Sequence, residues 1–295
     1  MLVLLLFPLV YLAILGMLFI SMELWGVNHL IYALGGRIEP QWVFGPYLVV
    51  ATTGVVAALL FGKPMARRAT YARVITEPAN RTERNLLLSV ERLSRKARIR
   101  TPQVAIYQSS DPNSYAVGTT RNSAMIAVSS GLLKHLSPAE LDAALGHEIG
   151  HIANRDMLVL GLVQSVTNTF LLAVPRVMGF LVDRSIFKND QGRGAGFFVT
   201  LLFFLVFFSF PASLLVMWLS RVREYRADRF SARLVERDSM IAALEKLQGT
   251  GDTDNTLPDG LIAFGIRQDP KNPWRGILAF QPSFEKRIAA LKKGG

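Results

Sequence analysis

Long apolar runs punctuate this chain in two pairs, and polar, strongly basic stretches follow each pair. Residues 1–22 are almost wholly apolar, long enough at ~1.5 Å per residue to cross a hydrocarbon core of ~30 Å. The run has no basic leader and no small-x-small cleavage site, so it reads as a retained anchor rather than a signal peptide. A short loop at 23–41, with Trp25 and Trp42 at its flanks, leads into a second apolar run at 42–62. The third run, 157–182, is interrupted by Gln164, Ser165, Thr167, Asn168, Thr169 and the pair Pro175-Arg176. Intramembrane polar groups face protein or a cavity, so this run reads as a span or as a buried or interfacial helix. A polar loop at 183–195 precedes a fourth run, 196–219, with Trp218 near its end. The pattern predicts a mainly α integral membrane protein with about four transmembrane helices.

Between the pairs the periodicity changes. Residues 82–97 carry Leu86, Leu87, Val90 and Leu93 at helical spacing, which predicts an amphipathic helix. Short apolar runs at 103–107 and 124–129 read as strands of a small β-sheet, separated by 111–118 and a turn at 119–122. Ser137 as N-cap, Pro138 at the first helical position and Glu140 completing a capping box open a helix. Beyond the fourth run, 229–247 continues as helix, 249–273 is loop-rich, and 281–291 forms a short amphipathic helix.

Half of the 295 residues are hydrophobic, and the formal charge is +11. The basic excess is a matter of topology. Between Lys63 and Arg100 eleven Lys or Arg face only Glu77, Glu83 and Glu91, which puts that side in the cytoplasm and the 23–41 loop outside. Attraction to anionic lipid headgroups is compatible with it. No aromatic-interleaved basic platform accompanies the charge, so no nucleic-acid partner is expected. The absence of cysteine excludes disulfides and a thiolate metal site.

The candidate chemistry lies in the helix after Ser137. His147-Glu148-Ile149-Gly150-His151 is a His-Glu-x-x-His run. Residues four apart share a helix face, so the two imidazoles can serve one metal ion. Glu148 points to the side, where a carboxylate can take a proton from an attacking water. Imidazole ligands without cysteine suit Zn²⁺, one per chain. Only four histidines occur, which makes a chance match rare.

The third ligand follows from height. His151 lies six residues before Met157, and Glu224 five residues after Leu219. If the third and fourth runs form an antiparallel hairpin, both sites stand roughly ~8 Å outside the bilayer on one side. Glu224 is the expected third ligand, and Asp228, one turn on, is a candidate to orient an imidazole N–H. The segment Asn113, Ser114, Tyr115, Ala116 is a candidate edge strand that holds an extended substrate, or simply a structural strand.

Several segments together resemble the HtpX family of heat-shock membrane zinc proteases, which is related to the CAAX prenyl endoproteases. They are Gly131–Leu133, LSPAELDAALGHEIGHIANRDM at 136–157, Asn168-Thr169-Phe170, and SRVREYRAD at 220–228. NSYAVG at 113–118 is similar to the family's Asn-Ala-Phe-Ala-x-Gly segment. The resemblance runs from about residue 75 to 235 and covers the leading spans by layout. It implies a helical, gluzincin-like protease domain in the bacterial inner membrane, multi-pass, with the active site facing the cytoplasm. It implies degradation of damaged membrane proteins, zinc bound by the positions of His147, His151 and Glu224, and Glu148 as base. One departure stands out: where many relatives carry His-Pro before an Arg-Ile helix, this chain has Gln281-Pro282 and Arg287-Ile288. Arg287, Arg223 and Tyr225 are candidate stabilisers in its place, and Asn154 a further candidate near the ligands.

The expected organisation is an N-terminal transmembrane hairpin (1–62), a first protease part with the motif helix (63–156), a second hydrophobic hairpin (157–219) and a second protease part with the third ligand (220–295). The expected partners are polypeptides, membrane proteins among them, and the lipid bilayer. Two other readings stay open: a prenyl-protein endoprotease, and a non-catalytic scaffold whose zinc is closed off by a fourth protein ligand.

Overall fold

The computed structural model describes residues 60–118, 120–189, 194–250, 266 and 281–294. The first apolar run, nearly all of the second and most of the 249–273 loop lie outside the described residues. The chain divides into two compact units, one built from 1–56 and 161–214 and one from 57–160 and 215–295.

The second unit carries a four-stranded sheet. Its strands are β1 (Arg73–Val74), β2 (Gln103–Tyr107), β3 (Ser114–Val117) and β4 (Met125–Ser129), ordered β1-β2-β4-β3. β2 and β4 are parallel, with Ala105 opposite Ala127, and the outer pairs are antiparallel. The sheet is apolar on both faces, which is why β2 and β4 read as continuous apolar runs. Val104, Ala116, Ile126 and Val128 face one core; Ala105, Tyr107, Tyr115, Met125 and Ala127 face the other. The two-residue β1 has no sequence signal of its own.

Helix α1 (Arg81–Lys96) lies on the first face, capped by the Asn80 side chain, which accepts from the Glu83 N–H. Leu86, Val90 and Leu93 are its fully buried stripe, and each contributes ~1.5–3 kcal/mol. After the short α2 (Ser130–His135), helix α3 (Pro138–Asn154) packs Leu145 and Ile149 into the same core. The capping box is present: the Ser137 N–H donates to Glu140 Oε2 at 2.6 Å.

α3 ends at Arg155, which adopts the left-handed conformation (φ 58°), and α4 (Asp156–Ser185) starts at the next residue. The long α5 (Ala195–Leu234) follows. The expected continuous helix over 229–247 is instead broken: α5 ends at Leu234, Glu236 is extended, and α6 (Arg237–Gln248) sets off anew. The break lets Met240, Ala243 and Leu244 of α6 pack with Ala143 of α3 and with Ile288 and Leu291 of α7 (Phe284–Lys292).

In the first unit, Asp183 near the end of α4 accepts the Gly196 N–H at 2.9 Å and so caps the start of α5. α5 is the one helix among the described residues long and apolar enough to cross a membrane. Its apolar side chains Phe198, Val199, Leu202, Phe203, Val206 and Phe207 are exposed along one broad face. A continuous exposed apolar face of this kind suits contact with lipid.

Candidate metal centre

Gly146 and Gly150 set the site. A side chain at Gly150 would meet Ala227 Cα at 3.3 Å and Phe230 at 3.2 Å, and one at Gly146 would meet Ser231 Oγ at 2.7 Å. The bare face of α3 thus lets α5 cross closely, and the Ser231 hydroxyl donates to the Ala143 carbonyl across the crossing at 2.6 Å. The neighbouring positions, His147 and His151, are thereby brought against Glu224 and Asp228.

The His147 and His151 rings are nearly perpendicular (89°), and their Nε2 atoms lie 3.1 Å apart. Glu224 Oε2 is 3.5 Å from His147 Nε2, and its Oε1 is 3.5 Å from His151 Nε2. Ligands at ~2.0–2.1 Å from a tetrahedral ion stand ~3.3 Å from one another, so the triangle has the right size for one metal. Both Nδ1 atoms are taken: His147 Nδ1 pairs with Asp228 Oδ1 at 2.9 Å, and His151 Nδ1 with Asp156 Oδ2 at 2.7 Å. Ionised carboxylates only accept, so the Nδ1 atoms carry protons and the Nε2 atoms point inward, where a metal ion would displace any proton held there. Arg287 Nη2 also lies 3.3 Å from His147 Nδ1, but its closer bonds, 2.6 Å and 2.8 Å from Nη2 and Nε, go to Asp228.

The electrostatics favour a cation at this point. Burial works against a charged His147, but hydrogen bonds to Asp228 and Glu224 outweigh it and raise its pKa to about 9. Burial also opposes ionisation of Glu224 and Asp228, and the neighbouring histidines and Arg287 overcome it and hold both below the usual carboxylate range. A pocket that draws a proton between two imidazoles and a carboxylate draws a divalent ion for the same reason.

Glu148 stands apart from the triangle, fully buried. Its Oε1 accepts from Ser114 Oγ at 2.8 Å, while Oε2 has no partner among the described residues. Burial pushes its carboxyl up, opposed by the two histidines. This is a carboxyl group with one oxygen fixed and one open for proton transfer.

The other expected positions divide. Ser114 reaches Glu148, whereas the Tyr115 hydroxyl turns away to Thr70 Oγ1 at 2.7 Å. The Ser129 N–H donates to the Asn113 carbonyl and the Asn113 N–H to Ser129 Oγ, so Ser114 and the buried Ala116 are the β3 residues whose main-chain groups face away from β4. The outward Ser114 carbonyl accepts from the Ile266 N–H at 2.9 Å. Arg287 is buried in ion pairs with Asp228 and Glu224. Arg223 is buried, with Nη2 3.9 Å from Glu224 Oε1 and with Nε and Nη1 unpartnered among the described residues. Tyr225 lines a cavity with Val222, Asp228, Arg229 and Arg287, behind the His147 partner. The Asn154 Nδ2 has no partner among the described residues, and Asp156 rather than Asn154 bonds His151. Gln281 is buried just ahead of α7.

The sequence profile of Peptidase family M48 matches residues 80–294, which contain every element of this site. The chain belongs to peptidase family M48. Protease HtpX of Thioalkalivibrio sulfidiphilus is 41% identical over 281 residues, covering 95% of each chain. Protease HtpX of Nitrosococcus oceani is 42% identical over 282 residues, again 95% of each. Among solved structures, Ste24p of S. mikatae superposes with a TM-score of 0.59 at 15% identity. That match covers 96% of this chain but 65% of Ste24p, so it speaks to the fold alone. The M48 assignment bears out the resemblance drawn from the motifs. It makes the chain a membrane-bound metalloendopeptidase acting on polypeptides, with a mostly helical fold around a small sheet.

Proposed function

We propose that this M48 peptidase is a zinc endopeptidase of membrane protein quality control, with one Zn²⁺ per chain held by His147, His151 and Glu224. The observation that carries the reading is the set of three inward donors 3.1–3.5 Å apart beside a carboxyl group with a free oxygen. Two imidazoles and a carboxylate suit zinc and leave a position open for water. When bound, the zinc supplies Lewis-acid polarisation of the scissile carbonyl and activation of the attacking water.

The chain's own groups do the rest. Glu148 accepts the proton of the attacking water at Oε2 and passes it to the leaving amine, while Ser114 holds Oε1 still. Its raised pKa suits this two-way role. Asp228, held by Arg287, fixes the ring of His147. With Arg287 committed to that carboxylate, Arg223 has the spare donors for negative charge developing on the carbonyl oxygen. An extended substrate pairs with the outer edge of β3 at Ala116, the outward Ser114 carbonyl being taken by the Ile266 N–H.

The apolar runs and the basic 63–100 stretch support a four-span, inner-membrane protein whose site faces the cytoplasm. In that layout 1–62 and 157–219 are the two hydrophobic hairpins, and 63–156 with 220–295 form the protease. Facing the cytoplasm at the membrane surface, the site meets damaged membrane proteins and their extruded segments.

The test is cleavage of unfolded casein by the purified, detergent-solubilised protein, before and after chelation and with Zn²⁺ restored. Activity lost on chelation and regained with zinc is expected. Cleavage of a farnesylated peptide with no cleavage of unfolded protein would replace this reading with prenyl-protein processing.

A further inference from the structure

Each candidate histidine ligand has its own carboxylate–arginine pair behind it. For His147 the pair is Asp228 and Arg287. For His151 it is Asp156 and Arg226: Asp156 Oδ2 lies 2.7 Å from His151 Nδ1, and its other oxygen, Oδ1, pairs with the Arg226 guanidinium. Asp156 is fully buried, and both of its oxygens are committed.

The backbone is shaped for this contact. A residue five positions after His151 on a straight helix would point some 140° away from it. Arg155 breaks the helix in the left-handed conformation (φ 58°), and Asp156 becomes the first residue of α4. The carboxylate therefore swings back onto the imidazole it would otherwise miss. A left-handed arginine is a sparsely populated state that persists when its surroundings demand it. At the start of α4 the negative charge is also favoured by the helix dipole. Arg226 comes from α5, one residue before the Ala227–Ser231 stretch that packs on α3, so the pair ties the beginning of α4 to the part of α5 that carries Glu224.

We propose that Asp156 is a positioning residue of the metal centre: it fixes the His151 ring so that Nε2 faces Glu224, and Arg226 fixes Asp156. The inference rests on the metal-site reading above. It differs from the His147 arrangement in one respect. The Arg287 side chain is sealed at 1% exposure, whereas that of Arg226 is 45% exposed, so the His151 support is the one open to solvent.

The experiment is a Zn²⁺ competition titration against a chromogenic chelator on the full chain in detergent, with Co²⁺ absorption spectra of the same proteins. Asp156→Ala is expected to bind zinc ~10–100-fold more weakly, the usual range for losing such a partner, and to shift the Co²⁺ d–d bands. Arg226→Ala should move both readouts in the same direction by less, and Arg226→Lys should restore most of the loss. If Asp156→Ala does not fold, Arg226→Ala and Arg226→Lys decide the matter by the same readouts. A folded Asp156→Ala protein, or in its absence a folded Arg226→Ala protein, with parental zinc affinity and an unchanged Co²⁺ spectrum overturns the proposal. Parent protein that binds no zinc, or binds it equally after His147→Ala, overturns the metal-site reading instead.

Discussion

His147 Nδ1 and Asp228 Oδ1 stand 2.9 Å apart, although 81 positions separate the two residues in the chain. The contact joins the motif helix to α5, and Arg287 of α7 closes it from behind with two bonds to the same carboxylate. Removing the carboxylate therefore does two things. It frees the ring, and it leaves a buried guanidinium without its principal partner. Asp228→Ala is expected to lose ~3–5 kcal/mol of stability and to bind zinc more weakly. Chemical denaturation and a metal competition assay check both. Full stability in this variant would mean that Arg287 finds compensation elsewhere.

The close crossing of α3 and α5 makes Gly150 a sensitive position. A methyl group there meets Ala227 Cα at 3.3 Å and Phe230 at 3.2 Å, so Gly150→Ala requires a shift of a few tenths of an ångström. Gly150→Val forces the helices further apart, costing ~1–3 kcal/mol and widening the ligand triangle. Zinc affinity should fall in the order glycine, alanine, valine. Equal affinity across the three would show that the crossing does not set the site.

Ser114 donates to Glu148 Oε1, a bond that favours the ionised carboxylate. Ser114→Ala removes it and raises the pKa of a group that burial has already pushed up. The acidic limb of the kcat/KM profile is expected to move to higher pH, with a loss of ~10-fold in kcat near neutrality. A pH–rate profile that overlays the parent's would separate Ser114 from the base.

Proton and metal compete for the same nitrogen pair. In the metal-free protein His147 holds its proton to about pH 9, above the ~6.5 of an unfolded imidazole. A raised folded pKa gives stability that is fully present below pH ~6.5 and is lost as the pH rises through about 9. Chelated protein should thus grow less stable across that window, by thermal unfolding. Adding Zn²⁺ at pH 7.5 should release roughly one proton per ion, fading above pH 9. Binding at pH 7.5 without proton release would contradict the charge state assigned to His147.

Much of the protease unit was legible in the sequence. The capping box at Ser137 and the His-Glu-x-x-His spacing marked α3, and the distance of Glu224 from the end of an apolar run singled out a carboxylate that the fold sets beside the two histidines. Local signals of this kind survive folding because they are written within a turn or two. Two of the features that were not legible depended on where helices stop. A left-handed Arg155 brings Asp156 to His151, and no periodicity announces it. The break at 235–236 was hidden for the same reason, since the helical pattern continues through it. Arg287 was singled out as a candidate for the reacting oxygen, yet its burial against Asp228 depends on α7 returning to α5, a contact between residues 59 apart.

The central claim is that Glu148 moves the proton at a metal site built by its neighbours. The direct measurement is kcat on unfolded casein for Glu148→Gln beside the parent, each verified to carry one zinc ion. The amide keeps the shape and accepts from Ser114, but it cannot take a proton. A fall of at least ~10²-fold with zinc content and folding unchanged is the predicted result. A variant that carries its zinc and cleaves at the parental rate would contradict the assignment and require another base.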